Sequence, residues 1–451
     1  MGLLATLIIM IFFLFLSYII NNKDIVAPSV IIFVVFIISL CFNIINYTKW
    51  EVSFDQKFIL VLALGFAATL FGDVLGAKVG KNIVIKKAKT RIFDFDMSKA
   101  LLVDIPISVN LLVIMFMLIV AALYYKDSIR IANLYGDLQS QTILQAIRNA
   151  TYSAGSSTDL EAGTGVFLSQ AILASKSIAY IYIYIYFLNR IFSGKKNLKH
   201  NWLNLLPPII YLLESILSTS RAQILYFFAG ACMMYYLLWY CRYGKISEKV
   251  KVKFIKYGIS TIVAFCMIFY LLGYLTRKSE ALGFFDNISV YIGGSLVSFN
   301  NWLEKFKSCN EYVGIESFVG VRKIFYKLGL VDDWSVRHLE FMSFGDYRGN
   351  VYTVFRRYIS DFGYVGMFVL QTLSTAVFST IYNKIKKRKR PGGLIIIYGY
   401  IVYAAAMEAI DELLFSAVLE ISNVYIFIYG YILYRLIVKR YTRYEGSFSK
   451  I

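Results

Sequence analysis

Long apolar runs separated by short polar segments are the feature that most restricts how this chain folds. Residues 3–20, 30–45 and 58–77 are almost entirely apolar, and similar runs recur toward the C-terminus. A helix needs about 20 consecutive apolar residues to cross the hydrocarbon core of a bilayer. With 58% hydrophobic and only 17% charged residues, the chain is far too apolar for a soluble domain. The sequence therefore predicts an integral membrane protein.

The spans are predicted to be helices, because no region alternates apolar and polar residues as the strands of a membrane barrel do. Residues 180–186 alternate tyrosine and isoleucine, but in an apolar run of this length we expect a helix. We predict an all-α polytopic integral membrane protein with about 11 (11–12) transmembrane helices. The predicted spans are residues 3–20, 30–45, 58–77, 106–123, 166–188, 203–217, 222–240, 257–275, 364–381, 394–407 and 419–437.

The basic residues predict how the spans are oriented. The formal net charge is +19, and its blocks lie between apolar spans, with seven Lys/Arg in residues 78–99 and six in residues 384–390. Such short basic loops are typical of the cytoplasmic side, so the charge indicates no nucleic-acid partner. Counting spans from these loops places the C-terminus inside and the N-terminus outside.

Three regions are predicted. Residues 1–276 form an N-terminal transmembrane bundle, and residues 364–451 form C-terminal transmembrane helices with a basic cytoplasmic tail. Between the eighth and ninth spans lies one large external loop, residues 277–363, with eleven Lys/Arg and ten Asp/Glu. We expect short helices in this loop, and a loop this long is usually functional.

A metal or disulfide site is not expected. The five cysteines include no CxxC pair, and there are only two histidines, His200 and His338. These patterns favour neither a zinc site nor a disulfide framework. We therefore expect no metal and no cofactor.

The turn at Ser218–Arg221 carries an arginine between two spans, with Glu214 about two turns earlier inside the apolar run. An ionisable residue at membrane depth usually faces protein or water. Two interpretations stay open for Arg221. It pairs with Glu214 or extends to the membrane interface and fixes a helical hairpin, or it binds an anion on the external side.

Three segments stand out beside the spans: Ser218-Thr-Ser-Arg-Ala-Gln-Ile-Leu, Tyr291-Ile-Gly-Gly-Ser and Asn350-Val-Tyr-Thr-Val-Phe-Arg-Arg-Tyr-Ile-Ser-Asp-Phe-Gly-Tyr-Val-Gly. Together they resemble the Wzy-type polymerases of bacterial O-antigen and capsule repeat units. The resemblance includes the number of spans and the large external loop, and it covers most of the chain.

The resemblance implies an enzyme of the bacterial inner membrane. It would transfer a growing glycan from one undecaprenyl-pyrophosphate-linked oligosaccharide to the terminal sugar of another, at the outer face and without a metal. The resemblance also implies partners: membrane lipid, a chain-length regulator and a flippase. Two alternative functions stay open. One is an O-antigen ligase-like glycosyltransferase, and the other, from another class, is a flippase or transporter of the same lipid-linked oligosaccharide. A transporter is expected to show internal repeats, and none is evident.

A pyrophosphate leaving group calls for fixed positive charge, which arginine supplies with a fork of donors. The candidates for that contact are Arg221, Arg277, Arg356 and Arg357. Arg357 and Asp361 lie four residues apart and would form a salt bridge on a helix. In that case Arg356 is the better ligand of the two.

The attacking sugar hydroxyl calls for a general base. His338, Glu214 and Asp361 are the candidates, with Glu340 as a further carboxylate. Tyr291, Tyr352 and Tyr358 are candidates for stacking on sugar rings, although most such aromatics are packing residues.

Overall fold

The computed structural model is almost entirely helical. It describes residues 2–88, 100–135, 143–156, 164–193, 201–218, 220–244, 267, 270, 283–331 and 339–445. The helices are α1 (Gly2–Ile20), α2 (Pro28–Ile45), α3 (Gln56–Ala88), α4 (Ile107–Tyr135), α5 (Ile143–Ser156), α6 (Val166–Phe192), α7 (Leu206–Leu217), α8 (Arg221–Tyr243), α9 (Phe284–Lys305), α10 (Val319–Lys327), α11 (Val354–Arg388), α12 (Gly393–Ala406) and α13 (Ile421–Leu433). Two short antiparallel pairs join β1 (Ala100–Val103) to β4 (Thr442–Glu445) and β2 (Met342–Phe344) to β3 (Tyr347–Gly349).

Eight helices in the described ranges are long and apolar enough to cross a membrane. They coincide with predicted spans, and the prediction of an all-α polytopic membrane protein is confirmed. The predicted sixth and tenth spans correspond to the shorter α7 and α12, of 12 and 14 residues. Within the predicted eighth span, residues 257–275, the structure describes only residues 267 and 270.

The chain divides into two compact units. Unit 1 comprises residues 1–92, 285–388 and 401–423, and unit 2 comprises residues 93–284, 389–400 and 424–451. Each unit combines segments that lie far apart in the sequence, so the predicted division into residues 1–276, 277–363 and 364–451 does not follow these units.

Unit 1 is built on the close contact of α3 with α11. Glycines recur every four residues on α3, so the two backbones approach without intervening side chains. The carbonyl oxygens of Thr372, Ala376 and Thr380 lie where a Cβ would stand on Gly72, Gly76 and Gly80, respectively. Because both sets of numbers rise together, α3 and α11 run parallel.

The parallel packing puts the two basic helix ends on the same side. The last turn of α11 carries Lys386, Lys387 and Arg388, and the end of α3 includes Lys81. The positive-inside rule predicts that this side is cytoplasmic. The start of α11 lies at the opposite end of unit 1, which the same rule predicts to be external. Gly2 at the start of α1 packs against the Phe54 backbone just ahead of α3, which agrees with the predicted external N-terminus.

The predicted external loop contains more regular structure than its polarity suggests. Helix α9 extends over 22 residues and is buried along much of its length. Its Gly293 carbonyl accepts a hydrogen bond of 2.8 Å from the Asn43 side-chain amide on α2. The β2–β3 hairpin packs Phe344 against Trp50, with 5.3 Å between ring centroids. These contacts attach two parts of the loop, α9 and the β2–β3 hairpin, to α2 and Trp50 in unit 1.

A kink at Gly363 divides α11 into an arm, residues 354–362, and the predicted ninth span. Gly363 has φ 66° and ψ −168° inside an otherwise helical segment. This region of backbone conformation is accessible essentially only to glycine. The arm therefore leaves the axis of the span at Gly363, where the chain has the one residue type that adopts this conformation without strain.

Gly363→Ala is expected to strain this kink and lower stability by about 1–3 kcal/mol. The nearest neighbour of an added Cβ is the Cys309 sulfur at 3.6 Å, so the loss comes from backbone conformation and not from a clash. Thermal unfolding of the purified protein in detergent measures it. Gly430→Ala is the matched control, since a Cβ there meets nothing within 4 Å. Equal stability of both variants would contradict the account.

Unit 2 contains α4 to α8, most of α12 and α13, and the β1–β4 pair. The tyrosines of residues 180–186 lie on α6, and most of them are buried, so the helical interpretation of that run is confirmed. Gly230 on α8 meets the Gly399 carbonyl on α12. An apolar cavity of about 260 Å³ lies between α6, α12 and α13. The ammonium of Lys176 lies 5.2 Å from the ring centre of Tyr400, which lines that cavity.

Candidate functional site

The arm of α11 concentrates buried charge at the external end of unit 1. Arg356 and Arg357 are only 3% and 2% exposed, and Asp361 is also buried. Burying a guanidinium is costly unless carboxylates and hydrogen bonds compensate it. The arm therefore depends on partners from elsewhere in the chain, and these partners define the candidate site.

Arg356 lies close to two aromatic rings. Its guanidinium carbon is 5.0 Å from the Trp302 ring centre and 5.2 Å from that of Tyr352. Its Nη2 donates to both carboxylate oxygens of Glu340 at 2.7 Å, and its Nη1 pairs with Glu316. The two ring contacts and the two carboxylates together hold this guanidinium in position.

One of the two carboxylates on Arg356 is open to solvent. The Glu340 side chain is 49% exposed, whereas that of Glu316 is 16% exposed. An exposed ion pair contributes little net stability because water competes for both charges. Glu340 is therefore the partner that an incoming anion can replace at the lowest cost.

Arg357 pairs with the turn that follows α12. Its Nε and Nη2 donate to the two carboxylate oxygens of Asp411, at 2.7 and 3.1 Å, and its Nη1 donates to the Glu316 carbonyl at 3.3 Å. The predicted salt bridge with Asp361 is wrong: within the described part of the chain no ion pair joins Arg357 to Asp361. Asp411 offers a bidentate geometry, which stabilises a buried guanidinium better than a single contact.

Asp361 instead orders the loop around Glu316. Its carboxylate accepts hydrogen bonds from the Asn310 side-chain amide at 2.9 Å and from the backbone N–H of Ser317 at 2.6 Å. The Glu316 N–H also donates to it at 3.2 Å. Asp361, predicted as a candidate base, therefore holds Glu316 in place beside Arg356.

Three carboxylates fall in the five residues of the acidic turn, residues 408–412. Glu412 accepts hydrogen bonds from the backbone N–H of Phe415 and Ser416, at 2.7 and 2.8 Å. Burial raises the pKa of the Glu412 carboxyl, and these two hydrogen bonds oppose the shift. Together with the Asp411 pair, this fixes the acidic turn against the arm.

Tyr352 and Tyr358, predicted to stack on sugars, are fully enclosed. Tyr352 donates its hydroxyl to the Glu340 carbonyl at 2.9 Å, and Tyr358 donates to Glu412 at 3.3 Å. Burial and the Glu340 charge raise the pKa of Tyr352 above its ordinary value. Both rings pack the arginine site in this conformation. Tyr291 lies on α9, half-buried, and its sugar contact stays a prediction.

Glu214 and Arg221 lie in unit 2. Glu214 is buried and accepts a hydrogen bond of 2.9 Å from the Ser175 hydroxyl on α6. Arg221 is the first residue of α8 and is buried as well. Among the described residues no ion pair links Glu214 to Arg221, so the predicted pairing of Arg221 with Glu214 is wrong. Anion binding by Arg221 stays a prediction.

Arg277 and His338 lie outside the described residues. In the ranges that are described, no group of three or more His, Cys, Asp and Glu side chains is arranged to hold a metal ion. Sequence reasoning did not identify Glu316 or Asp411 as parts of the site. The charge density of the acidic turn was the one available signal, since carboxylates next to an apolar run need partners.

Comparison of the chain with protein-family models, with curated proteins and with solved structures finds no match in any of the three. The site is therefore interpreted from its own chemistry and from the sequence motifs.

Proposed function

We propose that this chain polymerises undecaprenyl-pyrophosphate-linked oligosaccharide repeat units at the outer face of the bacterial inner membrane. One observation carries the proposal: two adjacent buried arginines stand at the external end of a membrane-spanning helix, within one of the motifs that resemble Wzy-type polymerases. Arg356 has a replaceable carboxylate on one edge, and Arg357 is locked to Asp411. Such an arrangement is suited to an anionic group that enters from the external side.

The proposed transfer needs neither a nucleotide sugar nor a metal. The acceptor hydroxyl oxygen forms a bond to the anomeric carbon of the donor glycan, and the bond from that carbon to the pyrophosphate oxygen breaks. The bonding pair leaves with undecaprenyl pyrophosphate, and the hydroxyl proton passes to a base. The candidates for that base are His338, Glu214 and Asp361, with Glu340 as a further carboxylate. Guanidinium groups stabilise the charge that develops on the leaving oxygen.

Arg356 is the proposed pyrophosphate contact in unit 1. A phosphate oxygen takes the position of the Glu340 carboxylate on Nη2, while Trp302 and Tyr352 hold the guanidinium in position. Glu316 stays on Nη1 and limits the arginine to one open edge. The carboxylate partner of Arg357, Asp411, is less exposed than Glu340. Arg357 therefore keeps its partner and supports Arg356 from the next position in the chain.

Arg221 and Arg277 are proposed as further contacts with the lipid-linked substrate, on the strength of the motif and of their predicted positions at the ends of spans. A chain-length regulator and a flippase are the proposed partners.

Glycan analysis in cells that lack this chain tests the proposal and separates its rivals. A missing polymerase leaves single repeat units, some of them transferred onward. A missing ligase leaves long glycans on the lipid carrier, and a missing flippase leaves single units on the inner face only. Single units on the external face, restored to long chains by the wild-type gene, are the expected result. Long carrier-linked chains would refute polymerisation in favour of ligation.

Glu340→Gln is expected to tighten binding of the lipid-linked substrate, because the neutral amide competes less well for Arg356 than the carboxylate does. We expect an apparent affinity about 5–10-fold higher, in line with loss of a half-exposed ion pair worth about 1 kcal/mol. Substrate titration with the purified protein measures it. Glu311→Gln, an exposed loop position, is the control. An affinity lower than that of the wild type would contradict displacement of Glu340.

A further inference from the structure

The remaining carboxylate of the acidic turn, Glu408, lies in the interior of unit 1. Glu408 is 2% exposed and its Oε2 accepts a hydrogen bond of 2.7 Å from the Gln371 side-chain amide on α11. Gln371 is 0% exposed, and its Nε2 also donates to the Thr69 hydroxyl on α3 at 2.9 Å. The pair therefore lies where α3, α11 and the acidic turn meet, shielded from water.

Each partner of this pair leaves one oxygen without a hydrogen bond. Glu408 Oε1 and Gln371 Oε1 are fully buried and have no partner among the described residues. Buried polar atoms are nearly always satisfied, so two orphans on one hydrogen-bonded pair call for an explanation. Both oxygens are hydrogen-bond acceptors, so a single shared hydrogen would give each of them a partner.

We propose that Glu408 is a proton-binding site, in which a proton on Oε1 is donated to Gln371 Oε1. With the existing bond from Gln371 Nε2 to Glu408 Oε2, this closes a carboxylic acid–amide ring of two hydrogen bonds. One proton then satisfies both orphaned oxygens. The proposal does not rest on the proposed glycan transfer, since among the described residues the Glu408 side chain bonds to Gln371 and to none of the arginines assigned to the pyrophosphate.

The charged groups around Glu408 favour the neutral acid. On the turn, Asp411 is engaged with Arg357, and Glu412 adds a negative charge nearby. On α11 the enclosed hydroxyl of Tyr358 interacts electrostatically with Glu408. On α3 Asp73 lies one helical turn beyond Thr69, and its carboxylate is bonded to Asn21 at 2.7 Å. Within the described chain no Lys or Arg forms an ion pair with Glu408.

Burial raises the pKa of Glu408 from 4.5 to about 8, with the Gln371 hydrogen bond opposing the shift and the Glu412 charge adding to it. The folded chain therefore keeps a proton that the unfolded chain has released. Folding stability from this group is full below a pH of 4.5, falls as the pH rises toward 8 and is absent above it.

Protonation of Glu408 is coupled to the position of the acidic turn. The Glu408 carbonyl accepts a hydrogen bond of 2.8 Å from the Val354 N–H, and the Ile410 carbonyl accepts one of 3.1 Å from the Tyr352 N–H. Val354 is the first residue of the arm and Tyr352 lies two residues before it, so both donors are close to Arg356 in the chain. Ionisation would place a charge in an enclosed site and favour release of the turn, together with the Asp411 contact to Arg357.

Infrared difference spectroscopy of the purified protein in lipid nanodiscs tests the proposal directly. A protonated carboxyl has a C=O stretching band that ionisation removes. The wild type is expected to lose a band component with a midpoint near pH 8, and the difference between wild type and Glu408→Gln is expected to contain that component alone. Glu420→Gln, a half-buried carboxyl in the same unit, is the matched control and retains the band.

Absence of a titrating band from the wild type, or its persistence in Glu408→Gln, would overturn the proposal. If Glu408→Gln does not fold, Gln371→Leu gives a second test. Removing the amide withdraws both hydrogen bonds of the proposed ring, so the midpoint must move away from that of the wild type. An unchanged midpoint in Gln371→Leu would show that the amide does not share the proton.

Discussion

Arg356→Lys is expected to leave the protein folded in the membrane and to reduce glycan elongation by about 100-fold or more. Lysine retains the charge but lacks the planar fork that reaches Glu316 and Glu340 at once and stacks on Trp302. The substrate pyrophosphate then loses both the donor geometry and the fixed position of the cation. Product length in cells complemented with the variant, and the rate of elongation with purified protein, measure the loss.

Arg348→Lys is the matched control for this experiment. Arg348 lies on β3, is exposed and faces Ser343 across the hairpin, so the same chemical change there should leave elongation unchanged. Elongation close to the wild-type rate in Arg356→Lys would remove Arg356 from the mechanism. Unfolding of the variant is distinguished from loss of chemistry by its thermal transition in detergent, which Arg356→Lys is expected to lower only slightly.

Asp411→Ala is expected to destabilise the folded protein by about 3–5 kcal/mol, the usual cost of leaving one partner of a buried ion pair uncompensated. Arg357 is 2% exposed and receives its bidentate carboxylate from Asp411. Denaturant or thermal unfolding of the purified protein measures the loss. The double variant Arg357→Leu with Asp411→Leu removes both charges and should recover much of the stability.

Asp346→Ala provides the control for the acidic turn. Asp346 is an exposed residue of the β2–β3 hairpin, where substitutions usually change stability by less than about 0.5 kcal/mol. Equal stability of Asp411→Ala and Asp346→Ala would show that the Arg357–Asp411 pair does not hold the turn in place. A double variant less stable than Asp411→Ala would show that Arg357 has another essential role.

Hydropathy predicted the membrane-spanning helices well because their length and composition are set by the bilayer itself. It placed the start of the ninth span at residue 364, whereas α11 begins at Val354. The arm is polar and carries Arg356 and Arg357, so its sequence does not resemble a span. The arm is nevertheless helical, because its side chains are buried against other protein segments and not against lipid. Hydropathy reports only how apolar a segment is, so it does not predict such contacts.

The candidate site was only partly predictable. Arg356, Arg357 and Asp361 were named from one short motif, since neighbours in sequence are neighbours on a helix. Their partners Glu316 and Asp411 come from other segments, and the Trp302 ring comes from α9. Spacing along one helix predicted an Arg357–Asp361 bridge, but the buried N–H groups of the Glu316 loop required an acceptor and Asp361 provides it.

The most direct test of the central claim uses purified protein in nanodiscs and the lipid-linked single repeat units that accumulate in cells lacking this chain. With that one substrate as both donor and acceptor, wild-type protein is predicted to produce a ladder of longer glycans and to release undecaprenyl pyrophosphate. Activity should survive excess chelator, and Arg356→Lys should produce almost no ladder. Wild-type protein that leaves the single units unchanged, or an Arg356→Lys ladder equal to that of the wild type, would contradict the account.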